Sequence, residues 1–214
     1  MERHQLAEAE RALRQALKLV PDDPVCLYDL ACVQAAAGDS EAALSDLERA
    51  ADAGFTDFNH LEHNPAFAPL RGLPRFREFL ARKDEIRRRA AERIVAQLKS
   101  RFGPDYRYEV DEPRKLIFAA HTDPATLQTL QRELRAEAQS QWELLFSHKP
   151  DEFIRVIVAT PADFVRLERR RNIGGRYDDV TRTLLVKVAA GPELRHEFTH
   201  ALHAADQHAL GQKH

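Results

Sequence analysis

The chain has 214 residues, of which 43% are hydrophobic and 31% charged, and its formal net charge is −2 at neutral pH. This composition is typical of a folded protein and excludes a disordered chain. The near-neutral charge gives no reason to expect nucleic acid or an anionic membrane as a partner. No apolar stretch approaches the roughly 20 residues of a membrane span, and the N-terminal sequence lacks the apolar core of a secretory signal. We therefore expect a soluble chain, and the sequence leaves its compartment open.

Helical patterns fill the first part of the chain. A helical run, a break at Gly38-Asp39 and a second helical run form one unit over residues 24–54. The segment before it repeats the pattern of the second half of that unit and leaves through Pro21. Small side chains at helical spacing let two antiparallel helices approach closely. The residues that carry the pattern are Leu27, Tyr28, Leu30, Ala31, Gly38, Ala43, Leu44 and Ala50.

This pattern resembles the tetratricopeptide repeat, a helical hairpin of about 34 residues. The resemblance covers one full unit and the second helix of a unit before it. Such repeats stack on their neighbours, so the resemblance implies a region that binds a protein partner or serves as a docking platform. We predict this repeat region over residues 1–82, with one or two short helices in its aromatic and proline-rich end from Phe55 onward.

A connecting helix and a change of pattern follow. Apolar residues spaced by four from Ile86 to Leu98 predict a helix over residues 83–104, and its interleaved acids and arginines indicate a solvated face. Gly103-Pro104 marks the boundary to a domain over residues 105–214. There the sequence predicts a hairpin, a long helix, the buried strand FIRVIVAT, a short helix, the loop GGRYDD, the strand TLLVKV and a last helix. The fold class is therefore α+β, with helical hairpins first and a mixed sheet-and-helix domain second.

The last predicted helix carries His196-Glu197-Phe198-Thr199-His200, an H-E-x-x-H array. Two imidazoles four residues apart are separated by about 40° and 6 Å, so both can bind one zinc ion. Glu197 lies beside that face, where its carboxylate can take a proton from water that the metal activates. The array predicts a Zn²⁺ cofactor with His196 and His200 as ligands and Glu197 as the general base.

The third protein ligand of a catalytic zinc site stays open in this sequence. His203 lies on the same side of the helix as His196, but a further turn along. Asp206 has the ten-residue spacing at which metzincins place their third ligand, although that arrangement wants a glycine where His203 stands. His208 and His214 are candidates if the helix ends early.

The segment from residue 105 onward resembles the gluzincins, the thermolysin-like zinc peptidases, and in particular the bacterial peptidase MA-like domains often fused to tetratricopeptide repeats. The resemblance rests on FIRVIVAT, the loop from Gly174 to Asp178, TLLVKV and the array LRHEFTHALH. It implies zinc-dependent hydrolysis of a peptide or protein substrate, with TLLVKV as the edge strand that pairs with the extended substrate. It also implies that Arg176 and Tyr177 border the cleft.

In that family the third ligand is a glutamate on a later helix, whereas this chain ends at His214. Because the repeat array also begins within a unit, we expect the chain to be a piece of a longer protein, with weak or absent peptidase activity of its own. The alternative is a non-catalytic scaffold, in which the helical repeats bind a partner and the peptidase domain is degenerate.

Overall fold

A computed structural model describes residues 3–168, 173–187 and 191–209 of the chain. These residues form helices and one mixed sheet, so the α+β class is confirmed. The chain divides into two compact units, residues 1–90 and 91–214. The division falls within a helix, some residues before the Gly103-Pro104 boundary at which the sequence pattern changes.

The first unit is helical, and short-range capping sets where its central helices begin and end. The Asp23 carboxylate accepts the backbone N–H of Cys26 at 2.7 Å and so starts the second helix. Gly38 ends that helix with a φ of 90°, a backbone conformation that glycine adopts without strain. Asp39 then caps the third helix through the N–H of Ala42. The helical segments are α1 (Arg3–Leu19), α2 (Pro24–Ala37), α3 (Ser40–Ala53), α4 (Phe58–His63), a 3-10 segment (Pro65–Leu70) and α5 (Pro74–Ala81).

Helices α2 and α3 pack against each other through small and aliphatic side chains, and Ala43 and Ala50 are fully buried. Aromatic rings extend this core, with Tyr28 stacked on Phe55 at a centroid distance of 4.3 Å. The predicted one or two short helices are three short pieces, because Pro65 and Pro74 begin the second and third pieces and interrupt regular helix. The helical hairpin is confirmed, and its assignment as a tetratricopeptide repeat stays a prediction.

Helix α6 (Lys83–Phe102) contributes to both units. Ile86 near its start belongs to the core of the first unit, and Leu98 belongs to a core of the second. The helix is followed by Gly103, whose φ is 75°. The predicted connecting helix is therefore present almost over its full predicted length.

The described residues of the second unit contain a five-stranded sheet with strand order β1-β2-β3-β5-β4. The inner strands β2, β3 and β5 run parallel, and the outer strands β1 and β4 are antiparallel to their neighbours. Inner strands covered on both faces need apolar side chains in both directions, which explains the almost uninterrupted apolar runs of β2 and β3. The elements are β1 (Arg107–Asp111), β2 (Leu116–Ala120), α7 (Pro124–Leu144), β3 (Ile154–Ala159), α8 (Pro161–Leu167), β4 (Gly175–Asp178), β5 (Thr183–Lys187) and α9 (Gly191–Ala209).

Helices cover the sheet on its two faces. Helices α7 and α9 pack on one face, where Phe198 of α9 is buried together with Val156 and Leu184. Helix α8 and the second part of α6 pack on the other, where Phe164 is buried together with Ile157. The sheet therefore holds α9, the helix of the histidine array, against its α7 side.

Two predictions for this unit are wrong. The segment GGRYDD was expected to be a loop, but it contains β4, which pairs with β5 from Gly175 to Asp178. TLLVKV was expected to be the edge strand, but β5 lies between β3 and β4. The cause is a tight turn between β4 and β5, in which the Asp178 carboxylate accepts the N–H and O–H of Thr181. The turn folds β4 back onto the side of β5 that faces away from β3. At this end of the described sheet the edge strand is therefore β4, and β1 is at the other end.

The other elements predicted for the second unit are confirmed. They include the β1–β2 hairpin, the long helix that Asp123 caps through the N–H of Thr126, the buried strand β3 and the short helix α8. Across the described residues, no helix is both long enough and apolar enough to span a membrane.

Candidate metal centre

The residues of helix α9 that pack in the core and the two histidines of the array lie on opposite faces of the helix. Leu194, Phe198 and Leu202 are buried in the core beneath the helix. His196 and His200 are exposed. Because successive residues turn by about 100°, the histidines lie on the side of the helix opposite to Phe198. The two imidazoles therefore face solvent on a helix that its core fixes in place.

The two imidazoles converge at one point. Their Nε2 atoms are 3.2 Å apart, and their ring planes are nearly perpendicular. Two nitrogen ligands at 2.0–2.1 Å from a tetrahedral zinc ion are themselves separated by about 3.3 Å. The donor atoms thus already have the spacing that two ligands of one zinc ion need. The same spacing also suits a hydrogen bond between two neutral rings, which a bound ion would replace.

Glu197 reaches the outer strand of the sheet. Its Oε2 accepts the backbone N–H of Tyr177 in β4 at 2.8 Å. The carbonyl of Gly174 accepts the N–H of Lys187, so residues 174, 176 and 178 bond toward β5. The backbone groups of Gly175 and Tyr177 therefore point away from β5, along the free edge of the sheet. The carboxylate lies at this edge.

Gly175 lies where β4 is close to both β5 and Glu197 of α9. A Cβ added at this position would be 2.9 Å from Val186 Cγ1, 3.3 Å from the Leu185 carbonyl oxygen and 3.4 Å from Glu197 Cγ. A glycine inside a strand often marks such a close approach. Gly175 is visible in the segment GGRYDD, but the pattern of this segment predicts a loop and not a strand.

A series of hydrogen bonds connects α7 to the segment of α9 that carries the histidine array. Gln141 Nε2 donates to Thr199 Oγ1 and to Glu137 Oε1, both at 2.7 Å. Thr199 in turn donates to the carbonyl oxygen of Arg195. Gln141 is buried, so these bonds fix α9 against α7 at the level of the histidine pair. No local pattern in the sequence indicates this contact, because 58 residues separate Gln141 from Thr199.

Asp206, a candidate third ligand, has a different set of partners. Its Oδ1 accepts the backbone N–H groups of Ser147 and His148 at 2.9 and 2.8 Å, and it contacts the His148 ring at 3.2 Å. Helix α9 is continuous here, so Asp206 lies ten residues, about 15 Å, along the axis from His196. The structure does not bring Asp206 together with the histidine pair.

Two other candidate ligands, His203 and His208, lie further along α9. His203 is exposed, with its ring 6.0 Å from that of Phe146. His208 belongs to α9, but its side chain lies outside the described residues, as does all of His214. In the part of the chain that is described, no group of three or more His, Cys, Asp or Glu side chains is arranged to hold a metal ion.

The two predicted cleft residues lie on opposite faces of β4. Tyr177 packs on the α9 side, and burial raises the pKa of its hydroxyl well above the usual range. Arg176 pairs in register with Leu185, whose side chain is on the α8 side, and forms ion pairs with Glu168 and Asp178. Of the two, Tyr177 shares the face of the histidine helix.

Comparison with known proteins gives no relative from which a role could be transferred. No family model, curated protein or solved structure matches the chain. The function proposed below rests on the residues of the chain itself.

Proposed function

We propose that the chain is a zinc-dependent metallopeptidase-like protein that hydrolyses peptide bonds and carries a helical-repeat region for a protein partner. The observation that carries the proposal is the convergence of His196 and His200 Nε2 at 3.2 Å on the exposed face of α9. The Glu197 carboxylate, on the neighbouring face of the same helix, lies at the edge of the sheet. A chelating pair beside a carboxylate is the donor set of metal-assisted hydrolysis.

The three residues of the array have two roles in this proposal, metal binding and proton transfer. His196 and His200 would hold the ion through Nε2, each as a neutral imidazole. When bound, zinc polarises water and a carbonyl group, which supplies the electrophilic part of the reaction. Glu197 has Oε2 fixed by the Tyr177 N–H, so its Oε1 is the oxygen that takes the proton of the attacking water and later gives it to the leaving amine.

The outer strand β4 supplies a place for the substrate. Among the described residues, no strand pairs with β4 on that side. The backbone groups of Gly175 and the carbonyl of Tyr177 face it, while the Tyr177 N–H donates to Glu197. An extended peptide can add to such an edge as a further strand, and main-chain hydrogen bonds would hold it beside Glu197. In this proposal β4 takes the role that the sequence predicted for TLLVKV.

The repeat region is proposed to bind a protein. The packing of α2 against α3 as a helical hairpin supports the proposal, because stacked hairpins are the units of repeats that present a binding surface. Large apolar side chains at the connection between α1 and α2 are exposed, and these are Leu19, Val20 and Val25. Exposed apolar groups close in sequence favour a contact surface over a spacer.

Zinc binding by the chain tests the metal part of this proposal. Isothermal titration of the metal-free chain with zinc should show a site that His200→Ala weakens by about tenfold or more, since one of two strong ligands is lost. His63→Ala is the matched control, because His63 is an exposed helical histidine of the first unit. Equal zinc binding by the wild type and His200→Ala would contradict the proposed ligand pair.

The Glu197→Gln variant distinguishes the peptidase hypothesis from the non-catalytic scaffold. The amide keeps an oxygen that can accept the Tyr177 N–H, but it cannot act as a base. Zinc binding should therefore persist, while any chelator-sensitive peptide hydrolysis should fall to background. Hydrolysis that is equal in Glu197→Gln and the wild type would leave the non-catalytic scaffold as the better description.

A further inference from the structure

We infer that Gly175 is a positioning residue, which together with the Tyr177 N–H forms a seat that holds the Glu197 carboxylate at the edge of the sheet. The inference rests on the proposed role of Glu197 as the base. It adds a second element, β4, to a site that the sequence placed on helix α9 alone.

The absence of a side chain at position 175 is required by packing and not by backbone conformation. The φ of Gly175 is outside the left-handed region, so other residues could adopt this backbone. The space is missing: an added Cβ would lie 2.9 Å from Val186 Cγ1 and 3.3 Å from the Leu185 carbonyl oxygen. By contrast, a Cβ at Gly191, where α9 begins, would meet no atom within 4 Å.

The same missing side chain leaves room for the stem of Glu197 beside β4. The added Cβ would be 3.4 Å from Glu197 Cγ, an ordinary van der Waals distance, so the space between them holds no more than a methyl group. From there the carboxylate extends along β4 by two residues and accepts the Tyr177 N–H at 2.8 Å. The forced adjustment is between β4 and β5, where the added Cβ would be too close to Val186 Cγ1 and the Leu185 carbonyl oxygen. The resulting shift of β4 would move the Tyr177 N–H, two residues further on, relative to Glu197.

The seat has a chemical consequence for one oxygen of the carboxylate. A hydrogen bond to a backbone N–H fixes Oε2, and therefore the direction in which Oε1 points. Without the seat the carboxylate gains free rotamers, and a base that samples many positions loses the effective concentration that orientation gives. Gly175 acts through Glu197 and needs no contact with the substrate to do so.

The inference makes a prediction about two neighbouring amides of β4. The Arg176 N–H points toward β5, whereas the Tyr177 N–H points outward to Glu197. Loss of the strand would expose both amides to exchange with solvent. Loss of the seat would expose Tyr177 alone, so the pair separates a positioning role from a structural one.

Amide hydrogen exchange measured by NMR tests this prediction in the full chain. Glu197→Ala and Gly175→Ala should each raise the exchange rate of the Tyr177 amide by about tenfold or more and leave that of Arg176 within about twofold. Gly191→Ala is the matched control and should change neither amide. The inference is overturned if Tyr177 exchange is unchanged in Glu197→Ala, or if both amides lose protection together in Gly175→Ala.

A double variant covers the case in which Gly175→Ala does not fold. Gly175→Ala with Val186→Ala removes the closest contact, at 2.9 Å, and leaves the added Cβ at 3.3 Å from the Leu185 carbonyl oxygen. Its Tyr177 amide should exchange faster than in Val186→Ala alone, while Arg176 stays protected. Equal exchange of the Tyr177 amide in the double variant and in Val186→Ala would show that position 175 does not control the seat.

Zinc titration of the same variants keeps this inference separate from the proposed function. His196 and His200 are on the exposed face of α9, so Gly175→Ala should bind zinc as the wild type does. If the wild type binds no zinc, the proposed function fails, and the amide data still report on the seat. If zinc binds but the Tyr177 amide does not respond, the seat fails and the metal site stands.

Discussion

The two outer strands of the sheet, β1 and β4, are both joined to helices of the same face, but through different chemical groups. At β1 the strand supplies the carboxylates: Glu109 accepts from Gln131 Nε2 at 2.7 Å, and Asp111 accepts from Arg135 Nε at 2.6 Å. At β4 the helix supplies the carboxylate, and the strand supplies only a backbone N–H. The β1 edge is fixed by side chains of the strand, whereas the β4 edge is fixed by a side chain that reaches it from α9.

The carboxylates at the two edges differ in how many of their oxygens are held by hydrogen bonds. Asp111 is 7% exposed and has its oxygens engaged by Arg135 and Arg114, so its role is structural. Glu197 is half-buried, and the one hydrogen bond described for it uses a single oxygen. With no side chain at Gly175, β4 can lie close to β5 and beside the Glu197 stem. The β4 edge is therefore the edge at which we place the chemistry.

The largest expected effect comes from the core that holds α9 on the sheet. Phe198 is fully buried, so Phe198→Ala should lower the free energy of unfolding of the second unit by about 3–5 kcal/mol. Denaturation in urea can be followed by the fluorescence of Trp142, the single tryptophan of the chain, which lies in this unit. A loss below about 1 kcal/mol would show that this core does not fix α9.

Leu134→Ala is the matched change on the other helix. Leu134 of α7 is also fully buried, and its loss should cost about 2–5 kcal/mol. The two variants should differ at the β4 edge, where only Phe198→Ala loosens the helix that carries Glu197. Exchange of the Tyr177 amide relative to that of Arg176 should therefore rise in Phe198→Ala and stay unchanged in Leu134→Ala. An equal response would remove the distinction between the two edges.

The sequence predicted the parts of this arrangement that local periodicity encodes. The buried strand β3, the long helix α7 and the two faces of α9 follow from apolar spacing within single segments. Strand β4 has only four residues and begins with a glycine, so its own pattern is that of a turn. It is a strand because β5 pairs with it, and such pairing is not visible in four residues.

The candidate site was predictable to the same extent. The spacing of His196 and His200 fixes their convergence, because one helical turn brings both rings to the same side. The partner of Glu197 and the partners of Asp206 come from segments distant in the chain, at Tyr177 and at Ser147 and His148. These contacts depend on tertiary packing, for which spacing along one helix carries no information.

A smaller effect on the free energy of unfolding is expected from the side-chain contacts that join β1 to α7. Arg135→Ala removes the shortest contact of the buried Asp111 carboxylate and leaves Arg114 at 3.5 Å. We expect a loss of about 1–3 kcal/mol in the free energy of unfolding, because a buried acceptor loses a charged donor. Arg132→Ala, at an exposed position of the same helix, is the control and should stay within about 0.5 kcal/mol of the wild type. An Arg135→Ala variant as stable as the control would mean that the Asp111–Arg135 pair does not stabilise the β1 edge.

The smallest effect concerns the turn that folds β4 onto β5, and it depends on pH. The hydroxyl and the backbone N–H of Thr181 donate to Asp178 and hold the pKa of its carboxyl below the usual value. A carboxyl with a lowered pKa in the folded state stabilises the fold above its unfolded pKa of about 4, and this contribution is lost as the pH falls through the folded pKa. Asp178→Asn keeps an acceptor oxygen but does not titrate. Urea unfolding from pH 7 to pH 3 should therefore show the wild type more stable by up to about 1 kcal/mol at neutral pH, with the difference shrinking below about pH 4. A difference that stays constant over this range would show that the Asp178 charge does not hold β4 at the edge.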